Sequence, residues 1–166
     1  MKPIRLAAAL VAFATAVTAG PVLAQSPNLV VGTWRIVSAT AEADGEISHP
    51  YGHEPRGKLV FTQDFHFVEF IYDPAIPKVK SNERGKGTDE ENRAILAGSF
   101  ALYGRYTVDA DGVFSGNTVE GSSFPNWVSD VRTTKELTMT VEGNRMTENF
   151  QRPGGAKVTI IWERYQ

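Results

Sequence analysis

Residues 103–121, YGRYTVDADGVFSGNTVEG, decide the fold class of this 166-residue chain. Two segments rich in β-branched and aromatic residues flank DADG at 109–112, and an Asp-Gly pair in that position is a strong signal for a β-hairpin. Segments of the same kind occur on both sides of this hairpin: LVVGTWRIVSAT, KLVF, FHFVEFIY, WVSDVRTT, LTMTVE, RMTENF and KVTIIWERY. The pattern predicts eight to ten short antiparallel strands, which is typical of an all-β barrel or sandwich.

One segment departs from this pattern and predicts a helix. TDEENRAILAGSF begins with Thr88, and Glu91 three residues later completes a capping box. A parallel sheet would need several crossover helices, so a single helix favours the antiparallel fold. The strand FHFVEFIY is apolar on both faces, and we expect the helix to pack outside the barrel and cover its outer face. Residues 42–57 are rich in Gly, Pro and His and predict a long loop.

The amino-terminal residues predict a secretory signal peptide over residues 1–24. Lys2 and Arg5 form a basic start, and an apolar, alanine-rich segment follows. Val22-Leu23-Ala24 then offers small residues for cleavage. The mature domain is then expected to span residues 25–166 and to be exported, either to the periplasm or as a secreted protein. The chain has no cysteine for lipid attachment, so we expect no membrane anchor after cleavage.

Composition excludes several classes of function. Cleavage removes two of the 17 basic residues and none of the 19 acidic ones, which leaves a net charge of −4, and no basic stripe indicates a nucleic-acid partner. Without cysteine there is no thiol nucleophile, and neither a Gly-x-Ser-x-Gly elbow nor a phosphate-binding glycine loop occurs. His49 and His53 are separated by Pro50 and Gly52, which prevent the helix that would give their spacing a metal-binding geometry. We therefore expect no metal and no cofactor.

Three motifs resemble those of a known family. GTW at 32–34 looks like the Gly-x-Trp signature of lipocalins, and WER at 162–164 supplies the arginine that packs across this tryptophan in that family. YGRYTVDADG and VEGSSFPNW resemble segments of the small bacterial lipocalin-like domain family. The resemblance covers residues 29–165 and implies an antiparallel, calycin-type β-barrel. It also implies that Gly32, Trp34 and Arg164 close one end of that barrel.

Strand alternation assigns side chains of the 103–121 hairpin to one face or the other. The more apolar face, expected to point into the lumen, carries Tyr106, Val108, Asn117 and Val119. Arg105 and Glu120 then form a cross-strand pair outside the barrel. The inverted arrangement stays open, with Arg105, Glu120 and Tyr103 in the lumen ready to bind an anionic or hydroxylated ligand.

Glu69 raises the same question on its own strand. Alternation places it on one face with Phe65, Phe67 and Ile71. A carboxylate among phenylalanines would be desolvated, and its pKa would rise as it does at acid–base sites.

The stretch SSFPNW at 122–127 predicts one end of the barrel. Pro125 cannot donate a ladder hydrogen bond, so it belongs at a strand end, and Trp127 is expected to open the next strand. Phe124 and Trp127 then bracket a connection, either as rim residues or as a plug. The candidate ligand-binding residues of lumen and rim are Phe61, Glu69, Tyr106, Asn117, Val119, Phe124, Trp127, Met139 and Trp162.

These observations favour a binding protein for a small apolar or amphipathic molecule over an enzyme. One alternative is an isomerase or cyclase that shapes a small hydrophobic substrate in the same barrel. Another is a filled barrel that serves as a protein-interaction module. Apolar cavity walls would favour the binding protein, whereas Glu, Arg and Tyr converging at one depth would favour the enzyme. The absence of a cavity would favour the interaction module.

Overall fold

The computed structural model describes residues 27–165, which form ten strands and one helix. The strands are β1 (Gly32–Ala43), β2 (Glu46–Ser48), β3 (Arg56–Phe61), β4 (His66–Tyr72), β5 (Ser99–Val108), β6 (Phe114–Ser122), β7 (Val131–Thr133), β8 (Leu137–Glu142), β9 (Arg145–Gln151) and β10 (Lys157–Arg164). The helix α1 (Asp89–Gly98) lies between β4 and β5. The expected signal peptide and the cleavage site before Gln25 lie outside the described residues.

The strands form one antiparallel sheet that curls into a nearly closed barrel. Their order is β7-β6-β5-β4-β3-β1-β10-β9-β8, and β2 pairs with the end of β1. All recorded pairings are antiparallel. The two ends of this path, β7 and β8, follow each other in the chain and approach without forming a recorded ladder in the described sheet. The predicted fold, an antiparallel β-barrel with one short helix, is confirmed.

Helix α1 begins at the predicted capping box. The Thr88 side chain accepts a hydrogen bond from the Glu91 backbone N–H, and the Glu91 carboxylate accepts one from the Thr88 backbone N–H. None of the helix residues is buried, and among the strands the helix packs mainly against β5. No helix in the described part of the chain combines the length and the apolar character that crossing a membrane requires.

The outer face of β4 is not covered, contrary to the expectation from the sequence. Val68 and Phe70 on this face are 55% and 45% exposed, and Tyr72 beside them is also exposed. The reason is that α1 presents only a narrow apolar stripe and lies beside β5. Phe65, expected on the inner face, instead lies in the turn before β4 with a φ of 65° and is exposed.

Two local expectations are corrected by the turns of the chain. The expected loop over 42–57 contains the end of β1 and all of β2, because Asp44 and Gly45 adopt positive φ and form a tight hairpin turn. Trp127 does not open a strand. It ends a 3₁₀ turn, Pro125–Trp127, in which Pro125 takes the first position, and β7 begins only at Val131.

The core fills the barrel from the end at which β1 begins. Trp34 there is fully buried, and the guanidinium carbon of Arg164 lies 4.0 Å from its ring centroid. Arg164 also donates hydrogen bonds to the carbonyl groups of Leu29 and Val31. Gly32 has a φ of 132°, and a Cβ atom there would lie 2.6 Å from the Arg164 side chain. The arginine can therefore lie across the tryptophan only because residue 32 has no side chain.

Candidate functional site

The opposite end of the barrel opens into a cavity of about 390 Å³, here called the mouth cavity. Its walls come from the end of α1, the start of β5, the 3₁₀ turn and the turn between β9 and β10. The lining residues are Tyr51, Leu96, Ala97, Ser99, Phe100, Ser123, Phe124, Trp127, Phe150, Arg152, Pro153, Gly154 and Ala156. Five of these are aromatic, so most of the wall is apolar.

The aromatic residues of the mouth cavity hold each other in place. Trp127 packs edge-on against Phe100 and Phe124, with ring centroids 5.6 Å and 5.2 Å apart. Tyr51 packs against Phe100 at 5.3 Å. Phe124 is exposed and Trp127 is half-buried, so both border the opening. β6 ends at Ser122, and the 3₁₀ turn that follows places Trp127 in the wall of the cavity.

The mouth cavity narrows into a smaller space of about 30 Å³, here called the recess. The two spaces share Tyr51, Phe100, Trp127, Phe150 and Arg152 as lining residues. The recess adds three charged side chains, which come from three different strands: Glu69 of β4, Arg132 of β7 and Glu148 of β9. All three are buried, with exposures of 4%, 8% and 5%. A channel with aromatic walls therefore ends at a desolvated charged cluster.

The strand pattern explains why the two glutamates point inward. Glu69 lies between Leu59 and Leu102 in the sheet register, and Glu148 lies between Met139 and Ile160. Each glutamate thus occupies an inward position that apolar residues hold on both neighbouring strands.

Burial raises the pKa of both carboxyl groups. The pKa of Glu69 lies well above its ordinary value, first because of desolvation and then because of the nearby Glu148 charge. Desolvation raises the pKa of Glu148 to about 7. Two contacts limit this rise: Trp162 donates an indole hydrogen bond to Glu148 at 2.9 Å, and Arg132 contributes its positive charge. Burial therefore favours the uncharged form of Glu69, and Glu148, with a pKa of about 7, changes its charge near neutral pH.

Arg132 is fixed by aromatic faces. Its guanidinium carbon lies 4.6 Å from the centroid of Phe150 and 5.6 Å from that of Trp127. Its Nη2 lies 3.4 Å from a carboxylate oxygen of Asp130, which is partly exposed. Within residues 27–165, no group accepts a hydrogen bond from Arg132 Nε, and none pairs with Oε1 of Glu69.

Tyr51 and Arg152 connect the recess to the mouth cavity. Burial raises the pKa of Tyr51 to about 12, and the positive charge of Arg152 opposes that rise. Tyr51 is thus a neutral hydrogen-bonding group beside an arginine at all ordinary pH values.

The sequence-predicted residues fall into two groups. Glu69 and Trp127 line the recess, and Phe124 lines the mouth cavity. The others are buried in the packed core: Phe61, Tyr106, Asn117, Val119, Met139 and Trp162. The expected lumen is therefore filled at that depth by its own side chains, with Trp162 reaching up to Glu148. On the hairpin, Arg105 lies 3.1 Å from Glu120 on the exposed face, and Tyr103 is also exposed.

Several residues of the site were not predicted from the sequence. The sequence does carry a signal for Glu148. It lies two residues after Met146 in RMTENF, and therefore on the same strand face, just as Glu69 lies two residues after Phe67. Arg132 lies in a three-residue strand and Arg152 in a turn, where alternation carries no information. Tyr51 lay in the expected loop. Among residues 27–165, no group of three or more His, Cys, Asp or Glu side chains could hold a metal ion.

Three comparisons place this chain among known proteins. Residues 31–165 match the sequence model of a family described as the lipocalin-like domain. No curated protein matches the sequence. Among solved structures, a redesigned β-barrel is similar over 87% of this chain and 98% of its own, with 14% sequence identity and a TM-score of 0.43.

Proposed function

Because this chain belongs to the lipocalin-like domain family, we propose that its barrel binds a small amphipathic molecule in the mouth cavity. One observation carries this proposal: a cavity with aromatic walls leads to a buried polar recess. Its volume of about 390 Å³ falls within the range of small-molecule sites, roughly 300–1,000 Å³. The apolar part of the ligand would contact Phe100, Trp127 and Phe150. The polar part would reach the recess.

Trp127 is central to this proposal because it lines both spaces. It is half-buried and packs on the edges of its neighbours, so its removal should enlarge the opening without emptying the core. The cavity also removes the main reason to consider a filled barrel that serves only as an interaction module.

The test is mass spectrometry of small molecules retained by the purified protein, followed by titration of the identified compound into variants. Trp127→Ala should weaken binding by at least tenfold and leave the unfolding midpoint in urea almost unchanged. Tyr72→Ala removes an aromatic residue from the outer face and should change neither. Equal binding by all three proteins, or collapse of the Trp127→Ala variant, would contradict the proposal.

An enzyme is a second candidate, favoured by the recess itself. Two buried carboxyl groups with raised pKa values face an arginine, which is an arrangement found at acid–base sites. Catalysis would convert the retained compound during incubation, and Glu148→Gln would abolish that conversion while the compound stays bound. A compound that is recovered unchanged from the native protein would leave binding as the function.

We further propose that the protein works after export. Support comes from residues 1–24, with their basic start, apolar segment and small residues before Gln25.

A further inference from the structure

We infer that the ligand carries a carboxylate on its apolar body, and that Arg132 and Arg152 bind this carboxylate at the junction of mouth cavity and recess. The inference rests on the proposed function and deepens it by naming the chemistry of the polar end.

Arg132 is the first donor. Its guanidinium lies over the rings of Phe150 and Trp127, and the residue is buried, so it has little access to bulk water. The acidic group in direct contact with it is Asp130, whose carboxylate oxygen lies at the long distance of 3.4 Å from Nη2, while Glu69 and Glu148 line the same recess. In the described chain its Nε–H has no acceptor. A buried donor without an acceptor is destabilising, and a ligand oxygen in the recess would supply the missing bond.

Arg152 is the second donor. It lies in the turn between β9 and β10 and lines both the mouth cavity and the recess. Its Nε is also buried and finds no acceptor between residues 27 and 165. Tyr51 lines the same junction. Two guanidinium groups and a phenol therefore converge on one small volume, and all three can donate to a carboxylate.

The charge of the recess also selects an anion. Two arginines line it, while burial favours the uncharged form of Glu69 and raises the pKa of Glu148 to about 7. Asp130 is partly exposed, so water weakens its effect on the interior. The interior thus carries excess positive charge, which a monoanion balances. An ammonium group in the same place would lie against two guanidinium groups.

Three probes that share one ring system test this inference: naphthoate, naphthalenemethanol and naphthalenemethylamine, titrated into the native protein by isothermal calorimetry. We expect naphthoate to bind roughly tenfold to a hundredfold more tightly than the neutral alcohol, which is the range for a charge-assisted contact. The amine should bind most weakly. Tighter binding of the amine, or equal affinity for all three, would overturn the inference and leave the proposed binding function standing. If none of the three bound, the proposed function itself would lose support.

Matched substitutions separate the contribution of the two arginines to the naphthoate preference from general effects of a mutation on binding. Arg132→Met and Arg152→Met should remove the preference for naphthoate and keep the affinity for naphthalenemethanol. Arg105→Met, on the outer face beside Glu120, is the control and should keep the preference. Arg152 lies in a surface turn, so its variant decides the outcome if Arg132→Met does not fold. A preference for naphthoate that persists in a folded Arg152→Met protein would refute the role of that residue.

Proton uptake gives an independent readout. A carboxylate placed beside Glu148 disfavours its ionised form, so naphthoate binding near pH 7 should take up a fraction of a proton and strengthen as the pH falls. Calorimetry in buffers of different ionisation enthalpy measures this uptake directly. Proton release on binding would contradict the inference.

Discussion

Replacing Glu148 of the recess by glutamine should change how the stability of the protein depends on pH. Glu148→Gln keeps the size of the side chain and an acceptor for the Trp162 indole, and it removes the ionisable group. In the folded protein the pKa of Glu148 is about 7, compared with an ordinary value of 4.5. A pKa difference of about 2.5, at about 1.4 kcal/mol for each pKa unit, corresponds to a folding penalty of about 3 kcal/mol once the group is ionised.

The direction in which the free energy of unfolding changes with pH follows from the raised pKa of Glu148. The folded protein holds this proton more tightly than the unfolded chain does, so the native protein is most favoured below pH 4.5 and loses stability as the pH rises through about 7. The variant lacks this contribution and keeps only that of Glu69, whose pKa burial also raises. Between about pH 5 and pH 8, the free energy of unfolding of the native protein should fall by about 2 kcal/mol relative to Glu148→Gln.

Urea denaturation followed by tryptophan fluorescence at a series of pH values measures this difference. Glu120→Gln is the matched control, because Glu120 lies on the outer face next to Arg105, and its curve should run parallel to that of the native protein. Parallel curves for the native protein and Glu148→Gln would refute the reasoning, because the carboxyl group would then not be desolvated in the folded state.

The remaining predictions concern the closed end, the mouth and the amino terminus. Arg164→Ala should lower the free energy of unfolding by about 1–2 kcal/mol through the lost contact with Trp34, as measured by urea denaturation; an unchanged midpoint would contradict a structural role. Trp127→Ala should lose much less than the roughly 3–5 kcal/mol typical of a buried core aromatic, whereas a loss in that range would make Trp127 a plug. Exported protein should begin at Gln25 by intact mass, and a full-length chain retained in the membrane would contradict cleavage.

Local sequence patterns carry much of this fold. The capping box locates the start of α1, and the Asp-Gly turn locates the hairpin of β5 and β6. Alternation groups Glu69 with Phe67 and Ile71 on one strand face, and Tyr106 with Val119 on the more apolar face of its hairpin. These features depend on residues that are close in sequence, so they can be predicted without knowing what lies across the barrel.

The recess depends on contacts between distant strands. Glu69 and Glu148 come from strands that do not pair with each other, and Arg132 comes from a strand too short to show alternation. Alternation also cannot separate an inward residue that fills space from one that lines a cavity. Phe61 and Trp127 both point toward the interior, yet only Trp127 borders the cavity.

Strand β7 has a consequence for how the recess responds to a ligand. It is three residues long and pairs with β6 alone in the described sheet, and it carries Arg132. Few ladder hydrogen bonds hold it, so its amide protons should exchange with solvent well before those of β1, which is paired on both sides. A ligand held by Arg132 ties this edge to the rest of the barrel. Slower amide exchange at residues 131–133 would therefore report occupancy of the site, while the exchange of β1 stays the same.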